Sequence, residues 1–217
     1  MTDFHEIDYT LHDLIRNGEG EELDFKQSID DQKKIARTLV AFANTVGGSL
    51  LIGVKDNGKV SGIDPSEEYH MINGAAGLYC TPPVSVDSRV WQEKHKLVLE
   101  VVVGKSETLH RAVDESGRPR VYIRLRAKTI QANKILYKYL MLRRNGSPRP
   151  ESLSEEALGL LRLFKSGEVY TLSKLYRLAS LPKKEVDHYI SLFLAWELIA
   201  FDVTESTIVY FSNEPTQ

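Results

Sequence analysis

The chain has 217 residues, of which 42% are hydrophobic and 27% charged, and its formal net charge is −2. This composition is typical of a globular protein with a buried core and does not favour a largely disordered chain. No stretch approaches the roughly 18 consecutive apolar residues of a membrane span, and the acidic N-terminus lacks the basic region of a signal peptide. The single cysteine, Cys80, has no partner for an internal disulfide. We therefore expect a cytoplasmic protein without contact to a membrane.

The small net charge conceals a very uneven distribution along the chain. Residues 1–31 have a net charge of −8, whereas residues 118–149 contain ten bases and no acid, and residues 151–217 have a net charge of −4. Because protein surfaces normally mix both signs, the basic stretch favours contact with an anion such as nucleic acid. The alternative is a solvated surface that happens to lack acids.

The first two thirds of the chain predict a mixture of helices and strands. Apolar residues at helical spacing and the stop signals Asn-Gly and Gly-Gly delimit the helices, and Asn57-Gly58 between two apolar runs is a hairpin signal. In chain order we predict a helix over 5–17, a strand over 23–26, a helix from Asp30 or Asp31 to Gly47-Gly48, a hairpin around Asn57-Gly58, a helix over 66–79 and strands over 84–92, 96–103 and 120–126.

The last third predicts a second, smaller domain. A helix over 129–144 is expected to end at Asn145-Gly146, and the Ser-Pro-Arg-Pro run at 147–150 is typical of a linker. We therefore predict domains over 1–146 and 151–213. The second domain combines three predicted helices with a terminal hairpin in about 60 residues, which is the outline of a winged helix.

Two blocks of sequence carry the most specific pattern. The first is EGEELDFK from Glu19 to Lys26, and the second is AFANTVGGSLLIGVKDNG from Ala41 to Gly58; Tyr-Ile-Arg follows at 122–124. Together they resemble the Schlafen AlbA-like domain over about residues 10–135. Asp24 replaces the glutamate usual in that family, and the segment 125–128 replaces its usual small polar loop. The resemblance implies an α+β domain with a mixed or antiparallel sheet and nucleic-acid binding, here followed by the winged-helix domain.

Basic residues are the first candidates for such binding, because lysine offers a point charge and arginine a bidentate fork to phosphate. Lys26 has an alternative role, since Asp24 and Glu22 are near enough in sequence to pair with it. A further cluster is expected from two lysines four residues apart on one predicted helix. The predicted nucleic-acid-binding residues are Lys26, Arg124, Arg126, Lys134 and Lys138. Binding of this kind requires no cofactor.

Acidic residues raise a competing hypothesis, because some Schlafen proteins are metal-dependent endoribonucleases. Glu19, Asp24 and Asp56 match the family's three acidic positions. Carboxylate oxygens are suitable ligands for Mg²⁺ or Mn²⁺, and such a metal ion can activate water against a phosphodiester. Asp56 also suits a hairpin turn, however, and Glu19 suits a solvated acidic loop.

Other kinds of site find little support. The six histidines show no paired spacing for zinc, and His110 is expected in an exposed loop. No Gly-x-x-x-x-Gly-Lys-Ser/Thr phosphate loop occurs. The net negative charge of residues 151–217 suits phosphate poorly. A dimer interface is therefore as good an explanation of that domain as DNA contact. The sequence predicts a nucleic-acid-binding protein, a transcriptional regulator and a homodimer, with a metal-dependent nuclease and a protein-interaction module as alternatives.

Overall fold

The structure is a computed structural model that describes residues 9–204 and 207–213. It divides into two compact units, Met1–Gln131 and Ala132–Gln217. The division lies ahead of the predicted linker at 147–150, because the helix before that linker buries Ile135, Leu136 and Leu140 within the second unit. Residues 5–8 of the first predicted helix and 205–206 of the last predicted turn lie outside the described residues.

The first unit has the predicted α+β composition and contains a mixed sheet. In chain order its elements are α1 (Leu11–Asn17), β1 (Leu23–Lys26), α2 (Gln32–Asn44), β2 (Gly47–Ile52), α3 (Pro65–Leu78), β3 (Cys80–Thr81), β4 (Asp87–Glu93), β5 (Lys96–Gly104), β6 (Arg111–Val113), β7 (Pro119–Arg120), β8 (Tyr122–Leu125) and β9 (Lys128–Gln131). The main sheet has the order β1-β2-β5-β4, with β1 parallel to β2 and the other pairs antiparallel. Strands β3, β6 and β7 form a second sheet, and β8 pairs with β9.

Helix α2 forms the centre of the first unit. Asp31 caps it by accepting hydrogen bonds from the backbone N–H groups of Lys33 and Lys34, which satisfies two otherwise unpaired donors. Its residues from Leu39 to Ala43 are all buried, so the helix is apolar around most of its circumference. The single apolar face that the sequence indicated is too narrow, because α3, β6, β8 and the main sheet all pack against this helix.

The link from α2 to β2 requires its two glycines. Gly47 has φ +91° and Gly48 has φ +157°. A Cβ atom on Gly48 would lie 2.6 Å from the Phe42 ring, and one on Gly47 would lie 2.9 Å from the carbonyl oxygen of Val103. The close approach of helix and strand that the Gly-Gly pair predicts is therefore present.

Two local predictions differ from the structure. The hairpin around Asn57-Gly58 is reduced to one antiparallel bridge between Val54 and Val60, because residues 61–64 leave the strand conformation. The helix predicted to begin at Thr129 begins at Lys134 instead. Residues 128–131 form β9, since Thr129 and Ile130 are β-branched and pair across the hairpin with Arg124 and Ile123.

The second unit is mainly helical with a small sheet. Its elements are α4 (Lys134–Asn145), α5 (Glu155–Leu161), β10 (Val169–Thr171), α6 (Leu172–Leu178), α7 (Lys183–Ala195), β11 (Ile199–Val203) and β12 (Ile208–Ser212). The strands form an antiparallel sheet with the order β10-β12-β11. Helix α4 packs against α7. Over the described residues, no helix has both the length and the apolar character needed to span a membrane.

Candidate functional site

Arg124 lies at the centre of the residues that the motifs single out, but its side chain points inward. The residue is 2% exposed. Its guanidinium donates to the carbonyl oxygens of Gly20 (3.0 Å) and Leu23 (3.2 Å) and to Thr129 Oγ1 (3.2 Å), and it lies over the Phe42 ring. These contacts hold β8 to the loop before β1 and to α2, and they occupy most of the donors that a phosphate would need.

Asp24 supplies the charge that balances this buried arginine. One carboxylate oxygen lies 2.9 Å from Arg124 Nη2, and the other accepts a hydrogen bond from Lys26 Nζ at 2.8 Å. Asp24 is 4% exposed, whereas the side chain of Lys26 is 38% exposed. The alternative considered for Lys26, an ion pair with Asp24, is thus present, and Asp24 is a structural partner of two cations.

Glu19 lies beside this pair in the loop before β1. Its Oε1 accepts a hydrogen bond from the backbone N–H of Phe25 at 2.9 Å. Partial burial raises the pKa of Glu19; the hydrogen bond from Phe25 opposes this shift, and the neighbouring Asp24 carboxyl raises the pKa further. The structure therefore brings Glu19 and Asp24 together, as two of the three predicted acidic positions.

Asp56 does not join them. Asp24 is paired in register with Leu50, whereas Asp56 is exposed in the turn beyond the end of β2. Over residues 9–204 and 207–213, no three His, Cys, Asp or Glu side chains lie close enough to hold a metal ion. Both oxygens of Asp24 already accept hydrogen bonds from cations, so this arrangement does not fit Mg²⁺ or Mn²⁺.

The tip of the β8–β9 hairpin is different in character. Leu125 pairs with Lys128, which leaves Arg126 and Ala127 in the turn. Arg126 and Lys128 are both exposed. Arg126 has φ +52°, the left-handed conformation in which glycine or asparagine is usual. The tip thus presents two cationic side chains. One of them, Arg126, stands at a turn position whose backbone conformation favours glycine or asparagine.

Comparison with known proteins shows the family of the chain. The family model described as Schlafen, AlbA_2 matches residues 19–133, more than half of the chain. The chain belongs to the Schlafen AlbA_2 family. The matched region of the AlbA_2 domain contains Glu19, Asp24, Asp56, Arg124 and Arg126. The family part of the sequence prediction is therefore confirmed.

Two solved structures are similar to the chain at low identity. A crystal structure of the DIP2311 protein from Corynebacterium diphtheriae is 17% identical, with a TM-score of 0.44; the match covers 89% of this chain but only 38% of that one. The N-terminal domain of a Nitrosomonas europaea protein described as related to the ATP-dependent DNA helicase RecG is 19% identical, with a TM-score of 0.39. That match covers 68% of this chain and 95% of the domain. No curated protein matches the chain.

The two lysines predicted as a second cluster lie outside the matched AlbA_2 domain, on α4. Lys134 Nζ is 2.5 Å from a carboxylate oxygen of Asp187 on α7, and the hydrogen bond to Asp187 is the main cause that raises the pKa of Lys134. Lys138 Nζ is 2.6 Å from His188 Nδ1, also on α7. Each lysine therefore already has a partner within the second unit.

Three polar residues of the AlbA_2 domain were not selected from the sequence or were placed wrongly. Asn44, within the Ala-Phe-Ala-Asn-Thr run, is buried and donates to the carbonyl oxygens of His110 and Tyr122. His110 is buried rather than exposed, between Pro82 O (2.8 Å) and Ser106 Oγ (2.9 Å). Glu100 is fully buried on β5. A polar residue inside an otherwise apolar run is the signal that could have identified Asn44 and Glu100.

Proposed function

We propose that the protein binds nucleic acid through the tip of the β8–β9 hairpin, where Arg126 and Lys128 contact phosphates. The observation that carries the proposal is the exposed pair of cations on a turn with Arg126 in the left-handed conformation. That conformation costs a non-glycine residue about 1–2 kcal/mol. Unfavourable backbone conformations concentrate at functional sites. The conformation of Arg126 therefore supports a role of its side chain in ligand binding.

The base of the same hairpin supports this role by fixing the tip. The guanidinium of Arg124 holds β8 to the loop before β1, and its backbone N–H donates to Thr45 Oγ1 at 2.9 Å. A contact surface that is rigid before binding loses less conformational entropy when it binds. Membership of the Schlafen AlbA_2 family is consistent with nucleic acid as the ligand.

The proposal is tested by the salt dependence of binding to duplex DNA and to structured RNA. Each phosphate contact contributes a log–log slope of about −0.9 on duplex DNA. Replacing Arg126 with Gly and Lys128 with Gln should weaken binding and flatten the slope by roughly one contact each. The charge control is Lys34→Gln, since Lys34 is exposed at the start of α2. Unchanged affinity and slope in the double variant would overturn the proposal.

The same samples distinguish binding from nuclease activity. Binding without cleavage is expected with Mg²⁺ or Mn²⁺ as well as with chelator, because Asp56 does not join the two other carboxylates. Metal-dependent cleavage that disappears in Glu19→Gln would instead support the nuclease hypothesis, in which the three acids assemble on the substrate.

The proposal extends to the second unit. We propose that this unit is a winged-helix domain and that the protein is a dimeric transcriptional regulator. Its support is the order α5, β10, α6, α7, β11, β12 with a three-stranded sheet. The net charge of −4 over residues 151–217 makes a protein contact more suitable than phosphate for this unit. Light scattering on the full chain should give the mass of two subunits, and the mass of one would rule out the dimer.

A further inference from the structure

A second cationic surface lies in the first unit, away from the β8–β9 hairpin. It is a groove of about 430 Å³ between α1, the turn at 55–60 and the hairpin that joins β4 to β5. Its polar lining consists of His12, Lys59, Glu93, Lys94, His95 and Lys96. Ile15, Gly58 and Val60 form the rest of its wall. Five of the six polar side chains are cationic or can become so, which concentrates positive potential in one concave place.

Within the part of the chain that the structure describes, most of this charge is not neutralised. Lys59, Lys94 and His95 are exposed, and over residues 9–204 and 207–213 their side chains have no hydrogen bond or ion pair. Lys96 Nζ donates to the carbonyl oxygen of Val60 at 2.6 Å, which shapes the groove without removing the charge. Among the described residues, Glu93 is the only acid in the lining, and its Oε2 lies 3.9 Å from His12 Nε2.

The backbone at this groove repeats the feature seen at the other hairpin. Glu93 pairs with Lys96, so Lys94 and His95 form the turn between β4 and β5. Lys94 has φ +55°. Glycine would be less strained at this position of the turn, but the sequence has Lys94 there, and Lys94 lines the groove.

The groove is separate from the proposed nucleic-acid contact. Strand β4 runs parallel to β1 and β2, because both β4 and β2 are antiparallel to β5, so the β4–β5 turn lies where β1 and β2 end. Arg124 binds Gly20 and Leu23, where β1 begins. The seven residues of β4 span about 23 Å at roughly 3.3 Å per residue. One phosphate cannot contact both places.

We infer that this groove binds a phosphate monoester, with Lys59 and Lys94 as its main charge partners and the histidine rings as further donors. Several cations that line one groove match a dianionic monoester better than a singly charged diester. The volume is in the range of small-ligand sites, and the Ile15–Val60 wall is suited to an organic group attached to the phosphate. The inference does not depend on the proposed function of the β8–β9 tip.

Calorimetry on the full chain tests this site with inorganic phosphate, a nucleoside 5′-monophosphate and the nucleoside alone, at constant ionic strength. The monophosphate should bind and the nucleoside should not. Lys59→Gln and Lys94→Gly should each weaken binding about tenfold, the effect of losing one charge-assisted hydrogen bond. Lys94→Gly also relieves the turn, so its lower affinity cannot be a folding defect.

Control variants and oligonucleotides complete the test. Lys34→Gln and Arg126→Gly should bind the monophosphate as the original protein does. A 5′-phosphorylated oligonucleotide that binds more tightly than its 5′-hydroxyl form, with the difference lost in Lys94→Gly, would identify a strand end as the source of the phosphate. No such difference, with the mononucleotide still bound, would identify a free nucleotide. Absence of monophosphate binding, or an affinity in Lys59→Gln and Lys94→Gly that equals that of the original protein, would overturn the inference.

Discussion

Arg124 and Arg126 stand two residues apart on the β8–β9 hairpin, and the structure places them in opposite environments. Arg124 is 2% exposed, donates to two backbone carbonyls and forms an ion pair with Asp24. Arg126 is exposed in the turn, with a left-handed backbone. A buried charge must be paired to be tolerated, whereas the side chain of an exposed arginine lies at the surface, where a ligand can reach it. The basic stretch thus contains one arginine that is buried in the fold and one that is exposed at the proposed contact.

The clearest way to test this contrast is to remove the buried arginine. Arg124→Gln should lower the free energy of unfolding by about 3–5 kcal/mol, because Asp24 would keep a buried carboxylate with one partner fewer. Urea denaturation measures the change. Asp24→Asn should lose a similar amount, and the double variant should lose less than the two single losses together. Additive losses, or stability near that of the original chain, would mean that the pair is not coupled.

A smaller effect is expected on α4, where cations are exposed but already partnered. The side chain of Lys134 is 61% exposed and forms its ion pair with Asp187 at the surface of the second unit. Lys134→Gln together with Lys138→Gln should change stability by less than about 1 kcal/mol. Affinity for duplex DNA should stay within about twofold of the original protein. A loss as large as that of the Arg126 and Lys128 double variant would extend the contact surface to α4.

The smallest effect on stability is expected at Glu19, the acid beside the ion pair of Arg124 and Asp24. An acid whose pKa is raised in the folded state binds its proton more tightly there, so its ionised form costs stability at neutral pH. Glu19→Gln should therefore raise the Tm slightly at about pH 7, and the gain should disappear as the pH falls towards about 4. Thermal unfolding over this pH range measures it. A gain that is independent of pH would assign the effect to something other than the titration of Glu19.

Local signals in the sequence were enough for much of the fold. Asp31 caps α2, Gly48 permits the close approach to Phe42, and β1 matches its predicted range. These features depend on short-range geometry, which composition and spacing report directly. The start of α4 was predicted too early because residues 128–131 are stabilised by pairing with β8, a contact that helical spacing does not reveal.

The candidate site was less accessible to sequence reasoning. Arg124 and Arg126 have the same side chain and similar neighbours in the sequence. The local sequence therefore does not show that one side chain is buried and the other exposed. Strand alternation alone would place two residues that are two apart on the same face. They differ because β8 ends at Leu125 and Arg126 lies in the turn, and the sequence does not show where that turn falls. The carboxylates behave similarly. Glu19 and Asp24 meet through a local loop, whereas the position of Asp56 depends on where β2 ends and how the following turn folds.

The most direct measurement is a parallel determination of unfolding free energy and duplex-DNA affinity for Arg124→Gln and Arg126→Gly. Arg126→Gly should unfold at the same or a higher urea concentration than the original chain and bind more weakly, with a flatter salt dependence. Arg124→Gln should lose stability, and under conditions where it stays folded it should keep its salt slope. The reverse pattern, a destabilised Arg126→Gly with full affinity and a stable Arg124→Gln that no longer binds, would contradict the account.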